Sequence, residues 1–305
     1  MSKRFKCYVI IATKGRPNDV PLIRDNLLSQ SVIPDRIVFI GTEKADLGGH
    51  DEQNVDPRIE FIISDKIGSS VQRNVGIERV LNIHGADNDF IALYFDDDFR
   101  PAFDWIENAL IHFQKQGIGG ITGTVLEDGI WGPGISEERA RTLIQSAPEP
   151  GSGQGGDLLY EEYICSLYGC NMAYSGEVTR NVRFDESLPA YAWLEDKDYS
   201  RLAMKYGRIA QVTDCQGVHL GTKNGRTPGV KFGYSQISNP VYLLRKGTMY
   251  NYETWKLVLR NIAANHVKML RPEPWVDRKG RTLGNWRAII DLIRGRISPQ
   301  RINDF

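Results

Sequence analysis

The segment FIALYFDDD at residues 90–98 decides the fold, because six apolar residues run without interruption into three aspartates. A continuous apolar run of this length is typical of a strand that is buried on both faces of a sheet. In open parallel sheets, ligands bind outside the carboxyl ends of such strands. The three aspartates are therefore expected to stand at the end of a central strand and to take part in a binding site.

Strand and helix patterns alternate on both sides of this segment. Three further apolar runs predict buried strands, at residues 7–12, 36–40 and 59–63. Apolar residues at helical spacing predict helices over residues 20–30 and 71–81, and Pro101 is expected to open another helix with Phe103 facing inward. This alternation predicts an α/β fold in which helices flank an open, mainly parallel sheet.

The rest of the chain is less regular. Residues 119–126 predict another strand, and a helix is expected over residues 194–207. Two glycine-rich stretches, residues 146–157 and 221–234, are predicted to be mobile loops. From about Pro240 the pattern is helical and basic to the end of the sequence.

Composition excludes several classes of protein. The 305 residues are 41% hydrophobic and 25% charged, which is typical of soluble globular proteins and excludes disordered and fibrous ones. A formal net charge of zero argues against a protein that coats nucleic acid. The sequence has no apolar stretch long enough for a transmembrane helix and no signal-peptide pattern, and its four cysteines lack metal-ligand spacing. We therefore expect a cytoplasmic protein with reduced thiols and no nucleic-acid partner.

The zero net charge conceals an asymmetry between two parts of the chain. Residues 241–305 contain thirteen Lys and Arg against five Asp and Glu, a net charge of +8. The preceding residues therefore carry a net charge of −8. An acidic body with a basic carboxyl-terminal part suggests two separate tasks.

The three adjacent carboxylates of residues 96–98 repel one another, so a compensating charge is expected beside them. Their hard oxygens suit Mg²⁺ or Mn²⁺, and Mg²⁺ typically completes its shell with water and phosphate oxygens. This chemistry indicates a nucleotide diphosphate as ligand. A solvated acidic turn is the alternative interpretation. Polar residues also follow the other predicted strands, at residues 13–16, 42–43 and 68–74.

A second acidic pair, Glu195 and Asp196, is predicted to begin a helix. The helix dipole stabilises carboxylates in a first turn, so this pair has a structural alternative to a catalytic role. Trp193, just before it, suggests the wall of a pocket for a sugar ring.

His219 follows a predicted strand at residues 209–213 and is either a metal ligand or an ordinary hydrogen-bonded histidine. Arg226 and Lys231 are either solvated charges or a clamp that holds phosphates when their loop closes.

Six segments in this order resemble a family 2 glycosyltransferase. They are VIIATKGRP (9–17), SSVQRNVGI (69–77), YFDDD (94–98), YGCNMAYSGE (168–177), WLEDKDYSRLAMKYG (193–207) and GVHLG (217–221). The resemblance implies the Rossmann-like GT-A fold for a catalytic domain at residues 1–238. Residues 1–120 would form its nucleotide-binding half and residues 121–238 its acceptor half. Residues 239–305 would form a helical basic extension, and residues 270–301 resemble the tails of bacterial members that act in surface-polysaccharide assembly.

The resemblance also implies an activity. Such enzymes transfer a sugar, with inversion, from a nucleotide diphosphate sugar to an acceptor hydroxyl, with Mg²⁺ or Mn²⁺ as cofactor. Uridine is the commonest base of the donor in the family. The acceptor would be a saccharide or a lipid-linked saccharide. A sugar nucleotidyltransferase and a non-catalytic sugar-nucleotide-binding protein are the alternatives.

The resemblance assigns roles to individual residues. Asp98 and His219 would bind the metal, and Asp196 would be the catalytic base. The donor-binding residues would be Thr13, Arg16, Glu43, Ser69, Arg73, Asp96, Asp97, Arg226 and Lys231. The residues lining the donor sugar and acceptor would be Gly169, Asn171, Trp193 and Glu195.

Residues 254–270 and 284–297 predict basic amphipathic helices that contain tryptophan. Such helices bind the interface of an anionic membrane, which would make the protein peripheral on the inner face of the cytoplasmic membrane. The alternative is that they pack on the catalytic domain or on a second subunit, as in a homodimer.

Overall fold

One mixed sheet organises the first part of the protein. The computed structural model describes residues 5–48, 56–147 and 166–305. Most of the loop predicted at residues 146–157 lies outside these residues. The described sheet contains β1 (Lys6–Ala12), β2 (Arg36–Gly41), β3 (Ile59–Ile63), β4 (Phe90–Phe95), β5 (Phe99–Pro101), β6 (Ile118–Asp128), β7 (Asn171–Ser175) and β8 (Arg208–His219).

The strand order is β3-β2-β1-β4-β7-β6-β8-β5. The first four strands in this order are parallel. Strand β7 is antiparallel to both its neighbours, β6 and β8 are parallel, and β5 is antiparallel to β8. The predicted α/β fold with an open, mainly parallel sheet is therefore confirmed.

Nine α-helices follow in chain order within the described residues. They are α1 (Asp19–Leu28), α2 (Ser69–His84), α3 (Trp105–Phe113), α4 (Glu137–Gln145), α5 (Gly176–Asn181), α6 (Glu195–Ala203), α7 (Gly229–Lys246), α8 (Asn251–Lys268) and α9 (Arg278–Ile293). Short 3-10 helices cover Lys44–Leu47, Gly129–Trp131 and Pro299–Asp304. None of the described helices combines the length and the apolar composition that a membrane-spanning segment requires.

The apolar runs form strands because the core covers both faces of the sheet. In β1, Val9 and Ile11 pack into one buried cluster, whereas Tyr8 and Ile10 pack into another. This alternation follows the two-residue period of a strand and requires apolar residues at every position. The central strand β4 is buried along its whole length, which brings the aspartates after it to the end of the sheet.

Three local predictions were wrong. Pro101 ends the short strand β5 instead of opening a helix, and Phe103 is 65% exposed instead of facing inward. The edge strand β3 is only half-buried, because it has a single neighbour in the sheet. Residues 229–234, predicted as part of a mobile loop, form the first turns of α7.

The chain divides into two compact units. The first contains residues 1–67, 71–184 and 199–225, and the second contains residues 68–70, 185–198 and 226–305. Helix α7 runs through residues 238 and 239, where the sequence suggested the start of a carboxyl-terminal extension.

Helices α7 and α9 of the second unit approach each other at two glycines. A Cβ atom on Gly233 would lie 2.1 Å from the carbonyl oxygen of Arg281, and one on Gly284 would lie 2.1 Å from that of Val230. Only glycine allows backbones to approach so closely.

Candidate metal and nucleotide site

A tight turn links β4 to β5 and carries the three aspartates. The amide of Phe99 donates to the carbonyl oxygen of Asp96 at 3.0 Å, which closes the turn. Phe99 then lies opposite His219 in the antiparallel pairing of β5 with β8. The amide of Leu220 donates to the carbonyl oxygen of Asp98 at 2.9 Å. One strand pairing therefore brings two residues that are distant in the sequence to the same point.

Asp96, Asp98 and His219 form a cluster that can hold a metal ion. Each offers a ligand atom, and these atoms lie within 4.8 Å of one another. Asp98 Oδ2 accepts a hydrogen bond from the amide of Thr222 at 2.7 Å. The other oxygen, Oδ1, is buried and lies 3.2 Å from Arg16 Nη1 and 3.4 Å from His219 Nε2, so positive charge already surrounds this atom. Two carboxylates and one imidazole fit Mn²⁺ or Mg²⁺.

The ring of His219 is held from its other side. Its Nδ1 lies 2.8 Å from Asp128 Oδ1, while Nε2 lies 3.4 Å from Asp98 Oδ1. Asp128 Oδ2 accepts a hydrogen bond from the Tyr168 hydroxyl at 2.8 Å. With a carboxylate on Nδ1, Nε2 is the ring nitrogen that lies beside Asp98, and it can bind a metal once it has lost its proton. Burial opposes the charged imidazole, but hydrogen bonds to Asp128 and Asp98 outweigh it and raise the pKa of His219 to about 10.

Asp97 points to a different set of partners. It accepts a hydrogen bond from the Thr13 hydroxyl at 2.6 Å and one from Arg16 Nη1 at 2.7 Å. The same Arg16 nitrogen lies 3.2 Å from Asp98 Oδ1. Burial raises the pKa of Asp97 to about 7 despite Arg16. Burial acts in the same direction on Asp98, but His219, Arg16 and the Thr222 amide outweigh it and lower the pKa of that carboxyl.

Arg73 supports the first aspartate of the turn. Its Nη2 donates to Asp96 Oδ1 at 2.9 Å and to the carbonyl oxygen of Gly169 at 3.1 Å. The guanidinium lies over the ring of Phe184. Asp96 is the most exposed carboxylate of the three, with 22% of its side chain accessible, whereas Arg73 is buried. The arginine therefore fixes the carboxylate that remains accessible to a ligand.

The loop after β8 packs on the loop after β1. Arg16 Nε donates to the carbonyl oxygen of Asn224 at 3.0 Å, and its Nη2 donates to that of Thr222 at 3.2 Å. Gly225 has a φ of +71°, and a Cβ atom there would lie 2.4 Å from the carbonyl oxygen of Lys14. Arg16 thus connects this loop to the acidic turn.

The sequence also pointed to Glu43, which is exposed in the structure. The buried carboxylate of this loop is Asp46. It accepts hydrogen bonds from the amide and hydroxyl of Thr42 at 2.8 and 2.7 Å, and from the amide of Gly15 at 2.7 Å. Burial opposes ionisation, yet these hydrogen bonds lower the pKa of Asp46. Asp46 therefore joins the loops after β1 and β2.

Asn171 lies in the interior at the start of β7. Its Oδ1 accepts a hydrogen bond from the Thr122 hydroxyl at 2.6 Å. Its Nδ2 is buried and has no hydrogen-bond partner among the described residues. The observed contact supports β6 and β7, and a role of Asn171 toward a sugar stays a prediction.

Eight of the predicted site residues are thus brought together in the first unit by hydrogen bonds, ion pairs or the metal-ligand cluster: Thr13, Arg16, Arg73, Asp96, Asp97, Asp98, Gly169 and His219. Sequence reasoning missed Asp46, Asp128 and Tyr168. Asp128 was detectable in principle, because it follows the predicted strand 119–126 by two residues and precedes a glycine.

The remaining predicted residues belong to the second unit, except Glu43 and Asn171. Glu195 is buried and Asp196 is half-buried in the first turn of α6. Asp196 Oδ1 accepts a hydrogen bond from the amide of Lys197 at 2.7 Å. Ser69, at the start of α2, donates its amide and hydroxyl hydrogens to the carbonyl oxygens of Ala190 and Tyr191, both at 3.0 Å.

The segment before this acidic pair has an unusual backbone. Ala190, Ala192 and Leu194 have φ values of 58°, 51° and 78°, in the left-handed region that favours glycine. Such conformations cost about 1–3 kcal/mol each and persist only where the surroundings enforce them. The carbonyl oxygen of Trp193 accepts a hydrogen bond from Asn239 Nδ2 at 2.9 Å, which helps to fix this segment.

Aromatic side chains surround a shallow depression in the second unit. Its lining residues are Pro189, Ala190, Tyr191, Ala192, Trp193, Thr227, Phe232 and Ser235. The rings of Trp193 and Phe232 have centroids 5.8 Å apart. The Arg281 guanidinium lies 4.5 Å from the centroid of Phe232. Burial, with Arg278 and Arg226, lowers the pKa of Arg281 to about 10. Arg226 and Lys231 are half-buried in this unit.

No protein-family model matches the sequence, and no curated protein matches it either. Solved structures do resemble the fold. The mannosyltransferase PcManGT from Pyrobaculum calidifontis, in complex with GDP-Man and Mn²⁺, is similar with a TM-score of 0.54 and 14% identity, over 99% of this chain and 85% of that one. TarS of S. aureus (residues 1–349) has a TM-score of 0.53 and 12% identity, over 98% and 82%.

GalNAc-T7, in a structure with UDP, GalNAc and Mn²⁺, has a TM-score of 0.50 and 10% identity, over 100% of this chain and 57% of that one. These similarities confirm the predicted GT-A fold. At sequence identities of 14%, 12% and 10%, these similarities establish the fold alone.

Proposed function

We propose that the protein is a metal-dependent glycosyltransferase that transfers a sugar from a nucleotide diphosphate sugar to an acceptor hydroxyl. The proposal rests chiefly on one observation, the cluster of Asp96, Asp98 and His219 at the end of β4 in a GT-A fold. PcManGT, which has this fold, was solved with a nucleotide diphosphate sugar and Mn²⁺. The same ligand class suits two carboxylates and an imidazole at a strand end.

Asp98, His219 and Asp96 would hold Mn²⁺ or Mg²⁺. The cation, when bound, supplies Lewis-acid stabilisation of the charge that develops on the departing diphosphate. Asp128 orients His219 for this task through the ring nitrogen Nδ1. Arg73 orients Asp96 and partly offsets the negative charge of the turn.

Arg16 and Thr13 would complete the binding site for the nucleoside and diphosphate. The guanidinium of Arg16 connects Asp97 to the carbonyl groups of the loop after β8. It therefore keeps that loop in position when a nucleotide is present. Glu43, Ser69, Arg226 and Lys231 are the further donor-binding residues that the family resemblance suggests.

We assign the catalytic base to Asp196. A direct displacement that inverts the anomeric carbon needs a carboxylate within hydrogen-bond reach of the acceptor hydroxyl, to take its proton as the new bond forms. Asp196 remains half-buried in the first turn of α6, so water does not fully screen its charge. Trp193 and Glu195, with Gly169 and Asn171, are the residues we assign to the donor sugar and the acceptor.

A uridine donor and a saccharide or lipid-linked saccharide acceptor in glycan assembly complete the proposal. It also includes a cytoplasmic location, a catalytic domain at residues 1–238 and a helical extension at residues 239–305. The family resemblance supports these finer statements.

The deciding experiment follows the release of nucleoside diphosphate from UDP-, GDP- and dTDP-sugars. We expect release from one donor class, loss of release with EDTA, and recovery with Mn²⁺ or Mg²⁺. Full activity in the chelator would contradict the metal role. Pyrophosphate formation from a nucleoside triphosphate and a sugar phosphate would instead indicate a nucleotidyltransferase. Nucleotide binding without turnover of any donor would indicate a non-catalytic protein.

A further inference from the structure

Exposed apolar side chains are concentrated on two helices of the second unit. Nine of the seventeen exposed large hydrophobic residues described in the structure lie within residues 252–293. On α8 and the turn after it they are Tyr252, Trp255, Leu259, Val267 and Leu270, and on α9 they are Leu283, Trp286, Ile290 and Ile293. We call these nine residues the outer face. Most of them recur at intervals of three or four residues, so each helix presents them on one side.

The two halves of the outer face adjoin. The ring of His266 on α8 packs edge-to-face on Trp286 of α9, with centroids 5.7 Å apart. Leu270 and Ile293 are 81% and 80% exposed. A continuous apolar surface of this kind marks an interaction site, whereas scattered exposed apolar residues need no explanation.

The buried sides of the same helices combine polar residues with an apolar cluster, which includes Val258, Ile262, Ala288, Ile289 and Leu292. Asn265 Nδ2 donates to Gln236 Oε1 at 2.7 Å and lies 2.9 Å from Asn285 Oδ1. Asn285 Nδ2 donates to the carbonyl oxygen of Gly233 at 2.7 Å, and Asp291 accepts a hydrogen bond from Tyr234 at 2.9 Å. These helices are therefore held by a polar network as well as by apolar packing, and the nine residues of the outer face remain exposed.

Charge on the outer face is of one sign. Six exposed basic residues beside it have no ion pair with a carboxylate in the described part of the chain: Lys256, Arg260, Arg271, Lys279, Arg287 and Arg294.

The acidic residues of α8, α9 and the loop between them are held in other contacts. Glu253 pairs with Lys197, Glu273 with Arg278 and Lys268, and Asp291 with Arg301. Asp277 accepts a hydrogen bond from the amide of Gly280 and so caps α9.

We propose that the outer face binds the interface of a bilayer that contains anionic phospholipid. Aromatic and aliphatic side chains enter the headgroup boundary, while the lysines and arginines contact lipid phosphates. A second copy of the chain is a poorer occupant, because a two-fold interface would bring the same unpaired cations together. This inference goes beyond the proposed reaction and does not depend on it.

The test measures flotation of the full-length protein with vesicles of phosphatidylglycerol and phosphatidylcholine, or of phosphatidylcholine alone. We expect binding only to the anionic vesicles and release in high salt. Replacing Lys256, Arg260, Arg287 and Arg294 together by Gln should lower the partition coefficient by roughly 500-fold, about fivefold per charge. The matched control replaces Lys44, Lys66, Arg141 and Lys205, four exposed basic residues elsewhere, and should bind like the unaltered protein.

A second pair of variants tests the apolar contribution. Leu259→Ser with Ile290→Ser should abolish binding, whereas Leu22→Ser with Ile111→Ser, at exposed positions of α1 and α3, should not. Equal binding to both vesicle types, or binding that persists in the quadruple Gln variant, would overturn the proposal. A different result would also overturn the proposal: the unaltered protein fails to float, light scattering shows it to be a dimer, and Leu259→Ser with Ile290→Ser converts that dimer to a monomer. The salt dependence of binding is measured on the unaltered protein. The proposal therefore remains testable even if one of the variants fails to fold.

Discussion

His219 Nε2 lies 3.4 Å from Asp98 Oδ1, and one short strand pairing produces this proximity. Strand β5 has only three residues, yet its pairing with β8 places Phe99 opposite His219 immediately after the acidic turn. The metal-ligand cluster is therefore formed by backbone hydrogen bonds before any cation binds. This arrangement reduces the reorganisation that a ligand would otherwise require.

Asp98→Asn should weaken Mn²⁺ binding by a factor on the order of 10² or more, because it removes the charge of a proposed ligand whose Oδ1 lies beside His219 Nε2. Electron paramagnetic resonance of free Mn²⁺ measures the affinity directly. Asp25→Asn, at an exposed position of α1, is the control and should leave the Mn²⁺ affinity unchanged. Equal affinities in the two variants would remove Asp98 from the metal site.

Asp128→Ala should lower Mn²⁺ affinity by about 10–100-fold, although Asp128 is not in the proposed ligand set, because His219 loses the group that fixes its tautomer. Tyr168→Phe removes one hydrogen bond to Asp128 and should have a smaller effect in the same direction. Electron paramagnetic resonance of free Mn²⁺ measures the affinity of both variants and shows which has lost more. A larger loss for Tyr168→Phe would contradict the proposed orientation of His219.

Asp196→Asn should leave nucleotide affinity unchanged and lower turnover by a factor on the order of 10² or more, since the amide cannot accept the acceptor proton. Calorimetric titration with nucleotide and initial rates of transfer separate the two effects. Glu177→Gln, in the first turn of α5, tests whether removal of any helix-terminal carboxylate slows the reaction. Unchanged turnover in Asp196→Asn would remove the base assignment.

Asp185→Asn should reduce the free energy of unfolding at pH 7 by about 1–3 kcal/mol. The carboxylate accepts hydrogen bonds from Lys246, Tyr242 and the amide of Ser187 at 2.6, 2.9 and 2.9 Å. Burial opposes ionisation, but these bonds outweigh it and lower the pKa of Asp185 below its ordinary value of 3.8.

A lowered folded-state pKa means that this stabilisation is complete above the unfolded pKa and is lost as pH falls through the folded value. The difference between Asp185→Asn and the unaltered protein should therefore narrow below about pH 4. Chemical denaturation at several pH values measures it. The control, Asp87→Asn at an exposed position, should show no such trend. If the difference in the free energy of unfolding widened in acid, the pKa of Asp185 would be raised in the folded state and not lowered.

Strands β1, β2 and β4 were predictable because their apolar runs are covered by the core on both faces, and the apolar run of β3 also forms a strand, although it is only half-buried at the edge of the sheet. The strand β5 was not predictable, because three residues are too few to show a period, and Pro101 was therefore read as the start of a helix. The prediction that Phe103 faces inward was wrong for the same reason, since α3 begins only at Trp105.

The family resemblance predicted that Asp98 and His219 lie close enough to share a metal ion, and the structure brings their ligand atoms together. Their supports were not predictable, because Asp128, Tyr168 and Asp46 act as single residues brought in by tertiary pairing. The buried carboxylate of the loop after β2 is Asp46, three residues after the predicted Glu43, and the short 3-10 helix Lys44–Leu47 turns it inward. Sequence patterns indicate which face of a helix or strand is buried and where a strand ends. Which distant residue contacts a site residue depends on the register of strand pairing, and sequence patterns do not show that register.

The left-handed residues at Ala190, Ala192 and Leu194 imply a gain in heat resistance if glycine replaces one of the alanines. Glycine tolerates that conformation at no steric cost, so a screen for thermostable variants should favour it at Ala190 or Ala192. Such a variant would also let the approach to Glu195 and Asp196 fluctuate. Alanine holds this conformation at a cost in stability, and its Cβ atom restricts the backbone before the acidic pair more than glycine would.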